Sequence, residues 1–145
     1  MTAQHAHSSP VVSDDRHGVI TLRVDDRLDQ VLRRVVVGIE ALALDVLAVI
    51  DHSGDAADAG VTMPETKLVL VGSPGPVIDL MVDHPPIAIE LPLKLLIREG
   101  DDGQVFVSYH APQSVARRWA LTEHEANALR VVEAIARQAR QNSGR

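Results

Sequence analysis

The 145-residue chain contains no cysteine. That excludes disulfides, thiolate nucleophiles and cysteine-ligated zinc, and it fits a cytoplasmic protein. Aromatic residues make up only 2% of the chain, too few to build stacking platforms for single-stranded bases. A net charge of −6 leaves no basic field for phosphate backbones, so nucleic acid is excluded as a partner. No apolar run approaches the ~18 residues of a membrane span. Prolines interrupt the nearest candidate, "HPPIAIELPLKLLI", and Glu90 and Lys94 charge it. The start, "MTAQHAHSSPVVSDDRHG", has no early lysine or arginine and no continuous apolar segment, so it does not read as a secretory signal.

What is present is a globular composition, 46% hydrophobic and 23% charged, at a length that suits one core. Residues 1–16 are polar without periodicity and read as a flexible tail. Residues 17–140 read as one α+β domain, and residues 141–145 as a frayed end. "VITLRV" (19–24) alternates like a half-buried strand. Leu28, Val31, Leu32, Val35, Ile39 and Leu42 recur at helical spacing, with Asp25 or Asp26 as a cap. "DVLAVID" (45–51) is apolar enough to predict a strand covered on both faces. A short helix capped by Ser53 and a third strand, "TKLVLVG", follow, and Pro76 starts another short helix. "LPLKLLIREGDDGQVFVSYH" reads as a β-hairpin, and Pro112 opens a short helix. A long terminal helix starts at a capping box formed by Thr122 and Glu125. The sum is a two-layer α+β fold: an antiparallel-rich sheet of about five strands with two main helices on one face.

Lys94, one of only two lysines, sits inside the apolar stretch "ELPLKLL". Strand alternation resolves where it points. Leu91, Leu93, Leu95 and Ile97 share one side with Val105, Val107 and Tyr109, which predicts the core. Lys94, Leu96, Arg98, Phe106, Ser108 and His110 share the other. A slip by one residue would mix apolar and charged faces, so the expected register has Lys94 opposite Ser108, Leu96 opposite Phe106 and Arg98 opposite Gln104. A face that mixes Lys and Arg with a Leu–Phe pair suits coverage by a partner or ligand, since a solvated face rarely carries the pair and a buried one rarely carries the charges.

Three sharper chemistries compete. His52, His84 and His110 each end an element, with Asp51 and Asp83 adjoining two of them. They are the candidate metal ligands, but the chain has no HxxxH or HExxH spacing, and no metal or cofactor is expected. "GSPGP" before a helix offers a phosphate-binding turn, weakened because Pro74 and Pro76 remove two N–H donors. Lys94 beside Ser108 offers a Ser–Lys pair with His110 as acid or base, which is the enzyme alternative, of hydrolase type.

"VIDHSGDAADAG", "LVLVGSPGPVIDLM", "ELPLKLLIREGDDGQVFVSYHAP" and "VARRWAL" occur in an order and spacing that resemble the bacterial and archaeal family called domain of unknown function 302, across residues 17–138. The resemblance implies a fold similar to the TATA-binding-protein-like group, a curved antiparallel sheet with two main helices. It also implies homodimers and brings no established activity. Ser73 and Val77-Ile78-Asp79 depart from the family's usual "GNP" turn and "GTPLM"-like helix entry, so a ligand held by that turn would meet different contacts here. The resulting expectation is a homodimer that binds a small apolar or anionic molecule at the sheet face or dimer interface. Lys94, Ser108, His110, Leu96, Phe106 and His52 are the ligand-binding candidates.

Overall fold

A computed structural model describes residues 11–14 and 16–141. Its frame is one open sheet. Val19–Val24 forms β2, with Leu22 and Val24 turned into the core and Thr21 and Arg23 away from it. It follows β1, Val11–Asp14, and precedes α1, Leu28–Ala41. Next come β3 (Val46–Asp51), α2 (His52–Asp58), β4 (Thr66–Val71) and α3 (Gly75–Asp83). A 3₁₀ turn over Pro85–Glu90 leads into the hairpin of β5 (Leu93–Glu99) and β6 (Val105–His110). The chain ends with α4 (Pro112–Arg118), α5 (Glu123–Asn127) and α6 (Val131–Gln141). Strand order is β1-β2-β6-β5-β4-β3, and every neighbouring pair is antiparallel.

The helical layer covers one face. Val31, Val35 and Ile39 of α1 and Val132, Ile135, Ala136 and Ala139 of α6 share a core with Val69, Val71, Leu95, Ile97, Val105 and Val107 of the sheet. Arg34 ties the two helices: its Nε donates to the Ala139 carbonyl at 2.7 Å and its Nη1 to Asp26 at 2.8 Å. A smaller cluster of Leu80, Ile87, Val115 and Leu129 closes one end of the sheet.

Several expectations change. Residues 11–14, assigned to the tail, pair with β2 and make a sixth strand where about five were expected. Residues 1–10 and 142–145 lie outside the described residues. β3 is not covered on both faces: it is an edge strand with Leu47 and Val49 exposed, and a bulge between Val46 and Ala48 turns Leu47 out of register. The cap of α2 is Asp51, which accepts from the Gly54 N–H at 3.0 Å, while Ser53 donates to Asp51. Neither Asp25 nor Asp26 caps α1. The N-cap position is Arg27, and Asp26 is held by Arg34 instead. The long terminal helix is broken by a 3₁₀ turn at Ala128–Arg130, where Asn127 accepts from the Arg130 side chain. The capping box of Thr122 and Glu125 forms as expected.

The hairpin keeps its parity and shifts its register by two residues. Leu96 pairs with Ser108, Ile97 with Val107, Arg98 with Phe106 and Glu99 with Val105. The cause is the turn. Gly103 sits at φ 80°, and the Gly100 N–H donates to the Gln104 carbonyl at 2.7 Å. A left-handed glycine allows a three-residue connection, residues 101–103, so the turn is centred on residue 102 where the expected register centres it on residue 101. Because side chains repeat every two residues, the core face is unchanged while every cross-strand partner differs.

Candidate functional site

The sheet face opposite the helices is built in rows, because directly paired residues in antiparallel strands share a side. The row nearest the hairpin turn runs Arg23, Phe106, Arg98, Thr66 across β2, β6, β5 and β4. The middle row is Thr21, Ser108, Leu96, Leu68. In the third, His110 pairs with Val19 and Lys94 with Leu70, and continuing the hairpin register sets Lys94 beside His110.

Two concavities meet at that third row. A groove of about 180 Å³ on the open face is lined by Val19, Leu68, Leu96 and Ser108 with Lys94 and His110. On the inner side lies an apolar cavity of about 20 Å³, walled by residues such as Leu80, Ile87, Val115 and Leu129. It is large enough for about one water. Lys94 and His110 line both spaces.

The electrostatics are uneven. The Lys94 ammonium is half-buried and makes a single long contact, 3.5 Å, to the Glu90 carbonyl. Among the described residues it pairs with no carboxylate. The other lysine, Lys67, lies 4.0 Å from Asp51 and 3.8 Å from Glu65. The Glu90 carboxylate is committed elsewhere. It accepts from Trp119 Nε1 at 3.0 Å and from Arg118. Burial pushes its pKa up, but those two donors and the arginine charge outweigh burial and leave it below the usual carboxylate range. His110 is exposed as a residue, yet desolvation is the largest influence on its imidazole. Burial first and the neighbouring Lys94 charge second lower its pKa.

Of the residues singled out from the sequence, Lys94, Leu96, Ser108 and His110 line one groove. Phe106 shares the face but belongs to the row with Arg98, whose guanidinium carbon lies 4.8 Å from the ring centroid. His52 begins α2 beyond the edge strand and lines neither concavity. The Ser–Lys pair does not form. The register shift takes Ser108 away from Lys94, and its hydroxyl lies 2.7 Å from that of Thr21. Nor do the three histidines converge. His84 Nε2 meets Glu125 at 2.6 Å, and among the described residues no group of three metal-ligating side chains assembles. Val19, Leu68, Glu90, Arg118 and Trp119 were not anticipated at the site. They come from elements distant in sequence, and only the strand order brings them to Lys94.

A family model described as "Domain of unknown function DUF302" matches residues 20–141. Among curated proteins, "Fluoride-specific ion channel FluC 1" of Brucella suis biovar 1 is 28% identical over 112 residues, 77% of this chain and 44% of that protein. "Fluoride-specific ion channel FluC 2" of Brucella melitensis biotype 1 is also 28% identical over 112 residues, 42% of its length. The chain therefore spans less than half of these relatives. No helix among the described residues is long and apolar enough to cross a membrane. A solved structure, the uncharacterized conserved protein DUF302 from Bacillus stearothermophilus, superposes with a TM-score of 0.72 at 12% identity, covering 86% of this chain and 96% of that one.

Proposed function

This chain belongs to the DUF302 family, and from that membership we propose that it is a binding module which holds a small anionic molecule against Lys94 on the open sheet face, with a second copy of the chain closing over that face. The observation that carries the reading is the half-buried ammonium of Lys94, set between two apolar concavities without a carboxylate partner among the described residues. A cation in partly desolvated surroundings is stabilised by an anion, and Leu68, Leu96 and Val19 offer apolar area to the rest of such a ligand. A two-fold contact through the same face would bury those side chains on both copies.

Native mass spectrometry of protein purified without denaturation tests the ligand. A retained small anion, lost in Lys94→Met, is the expected result. A wild type that retains nothing and binds no organic anion in calorimetry overturns the reading. Sedimentation tests the assembly: Leu96→Glu is expected to turn a dimer into a folded monomer. A wild type that is monomeric at high concentration removes the second copy from the proposal.

The names of the curated relatives favour a second reading, in which the anion is fluoride and the domain responds to it beside a channel. Ion hydration makes it the weaker of the two. One ammonium supplies few donors to replace the hydration of a small hard ion, whereas an organic anion offsets that loss by burying apolar surface. Fluorine NMR titration, with and without Lys94→Met, separates the two.

A further inference from the structure

Resting on the proposed anion site at Lys94, we infer that the ligand is an elongated dianion, with an anionic group at each end and an apolar middle, lying along β5 from Lys94 to Arg98.

The charge distribution motivates this. The open-face residues of β2, β6, β5 and β4 include Arg23, Lys94 and Arg98 and no aspartate or glutamate, in a chain whose net charge is −6. All three cations are half-buried, and among the described residues none pairs with a carboxylate. Elsewhere most cations are matched, Arg27 to Asp29, Arg34 to Asp26, Arg118 to Glu90, and Arg130 and Arg137 to Glu133, while Arg33 and Arg117, which meet no carboxylate among the described residues, are exposed to solvent. The half-buried positive charge without a carboxylate partner is thus gathered on the face that no helix covers.

The spacing selects the shape of the ligand. Lys94 and Arg98 are four residues apart on one strand face, about 14 Å at ~3.4 Å per residue. Between them lies Leu96, flanked by Leu68 on β4 and by the Thr21–Ser108 hydroxyl pair beyond. The ends are cationic and the middle is apolar. At the far end the Arg98 guanidinium carbon lies 4.8 Å from the Phe106 ring centroid, and with no carboxylate partner among the described residues its N–H groups can receive one from a ligand. Arg23 stands on the other side of the same ring, two strands from Arg98, and adds a second guanidinium to that end. A monoanion satisfies only one end of this arrangement.

Isothermal titration calorimetry with α,ω-dicarboxylates from succinate to dodecanedioate, each beside the monocarboxylate of equal chain length, tests the inference. The expected result is an optimum at intermediate length, where the dicarboxylate binds at least about tenfold tighter than its monocarboxylate because the second end binds at high effective concentration. Arg98→Met should reduce that advantage to threefold or less, and Arg130→Met, away from the face, should leave the length optimum in place. If monocarboxylates bind through Lys94 and no dicarboxylate binds tighter, the dianion is wrong and the simpler anion site stands. If neither series binds, both fail. The wild-type series decides the matter even if Arg98→Met does not fold.

Discussion

The guanidinium carbon of Arg98 lies 4.8 Å from the centroid of the Phe106 ring, directly across the β5–β6 pair. On a partly exposed face such a contact contributes about 0.5–1 kcal/mol. A double-mutant cycle with Arg98→Met and Phe106→Leu, read by urea denaturation, should return a coupling of ~0.5–1 kcal/mol. A coupling of zero would mean that the two side chains do not meet in solution.

The hydroxyls of Thr21 and Ser108 lie 2.7 Å apart, and Ser108 is buried. Removing one hydroxyl strands the other in a partly desolvated place. Ser108→Ala should destabilise the fold by about 1–3 kcal/mol. Thr21→Val combined with Ser108→Ala should cost less than the sum of the single changes, since both polar groups then leave together. Additive losses would show that the two hydroxyls act independently.

Gly103 adopts φ 80° with open space around its α-carbon, so a side chain there meets backbone strain and no clash. Gly103→Ala should therefore cost about 1–2 kcal/mol, and Gly103→Asn less, because asparagine tolerates the left-handed region. At Gly100 a β-carbon would approach the Phe106 ring at 3.0 Å, a steric conflict of a different kind. Equilibrium unfolding separates the cases. An alanine at 103 with no effect would mean that the turn does not fix the register.

His110 gives the site a pH dependence. Its pKa lies below the ordinary 6.5, through desolvation first and Lys94 second, while Glu90 opposes and Arg118 adds to the lowering. The folded state then binds fewer protons than the unfolded chain below about pH 6.5, so this residue's contribution to stability is present above that pH and is lost as pH falls. An anion beside Lys94 favours the imidazolium, raises the His110 pKa and takes up a proton on binding. Affinity for an organic anion should thus rise from pH 7.5 to pH 6, and His110→Gln should flatten the rise. A wild-type affinity that falls over this range, or a variant that keeps the rise, assigns the proton elsewhere.

Alternation alone made the faces of β5 and β6 legible, because a period of two admits no compromise between Leu95 and Lys94. It could not reveal the partners, since a slide of two residues preserves both faces. Only the conformation of Gly103 distinguishes Leu96–Ser108 from Leu96–Phe106. The four residues of β1 are too few to show a period, and β3 reads as interior because its apolar residues do not report that the sheet ends there. At the site, Lys94 stood out by its apolar neighbours. Glu90, whose carboxylate is fixed by Trp119 and Arg118, did not, because those donors come from the end of α4 and the residue after it, almost thirty positions away. The family resemblance pointed to the fold, which the match over residues 20–141 supports, and left the site chemistry open.

The contact between Thr21 and Ser108 spans 87 positions of the chain. β2 is made early in synthesis, but its neighbour β6 is made late, after β3, β4 and β5. Until β6 leaves the ribosome, Leu22 and Val24 have no strand of the main sheet to pair with, and α1 has no finished surface to cover. The β3–β4–β5–β6 meander can assemble from neighbouring segments, whereas docking β2 requires closing a long loop before its contacts repay the lost entropy. The seam between β2 and β6, which carries Arg23 of the cationic face, is therefore expected to be the part of the sheet whose formation sets the pace of folding. Slowing of refolding by changes at Leu22 or Val107, more than by changes at Val69, is the signature this topology leaves in kinetics.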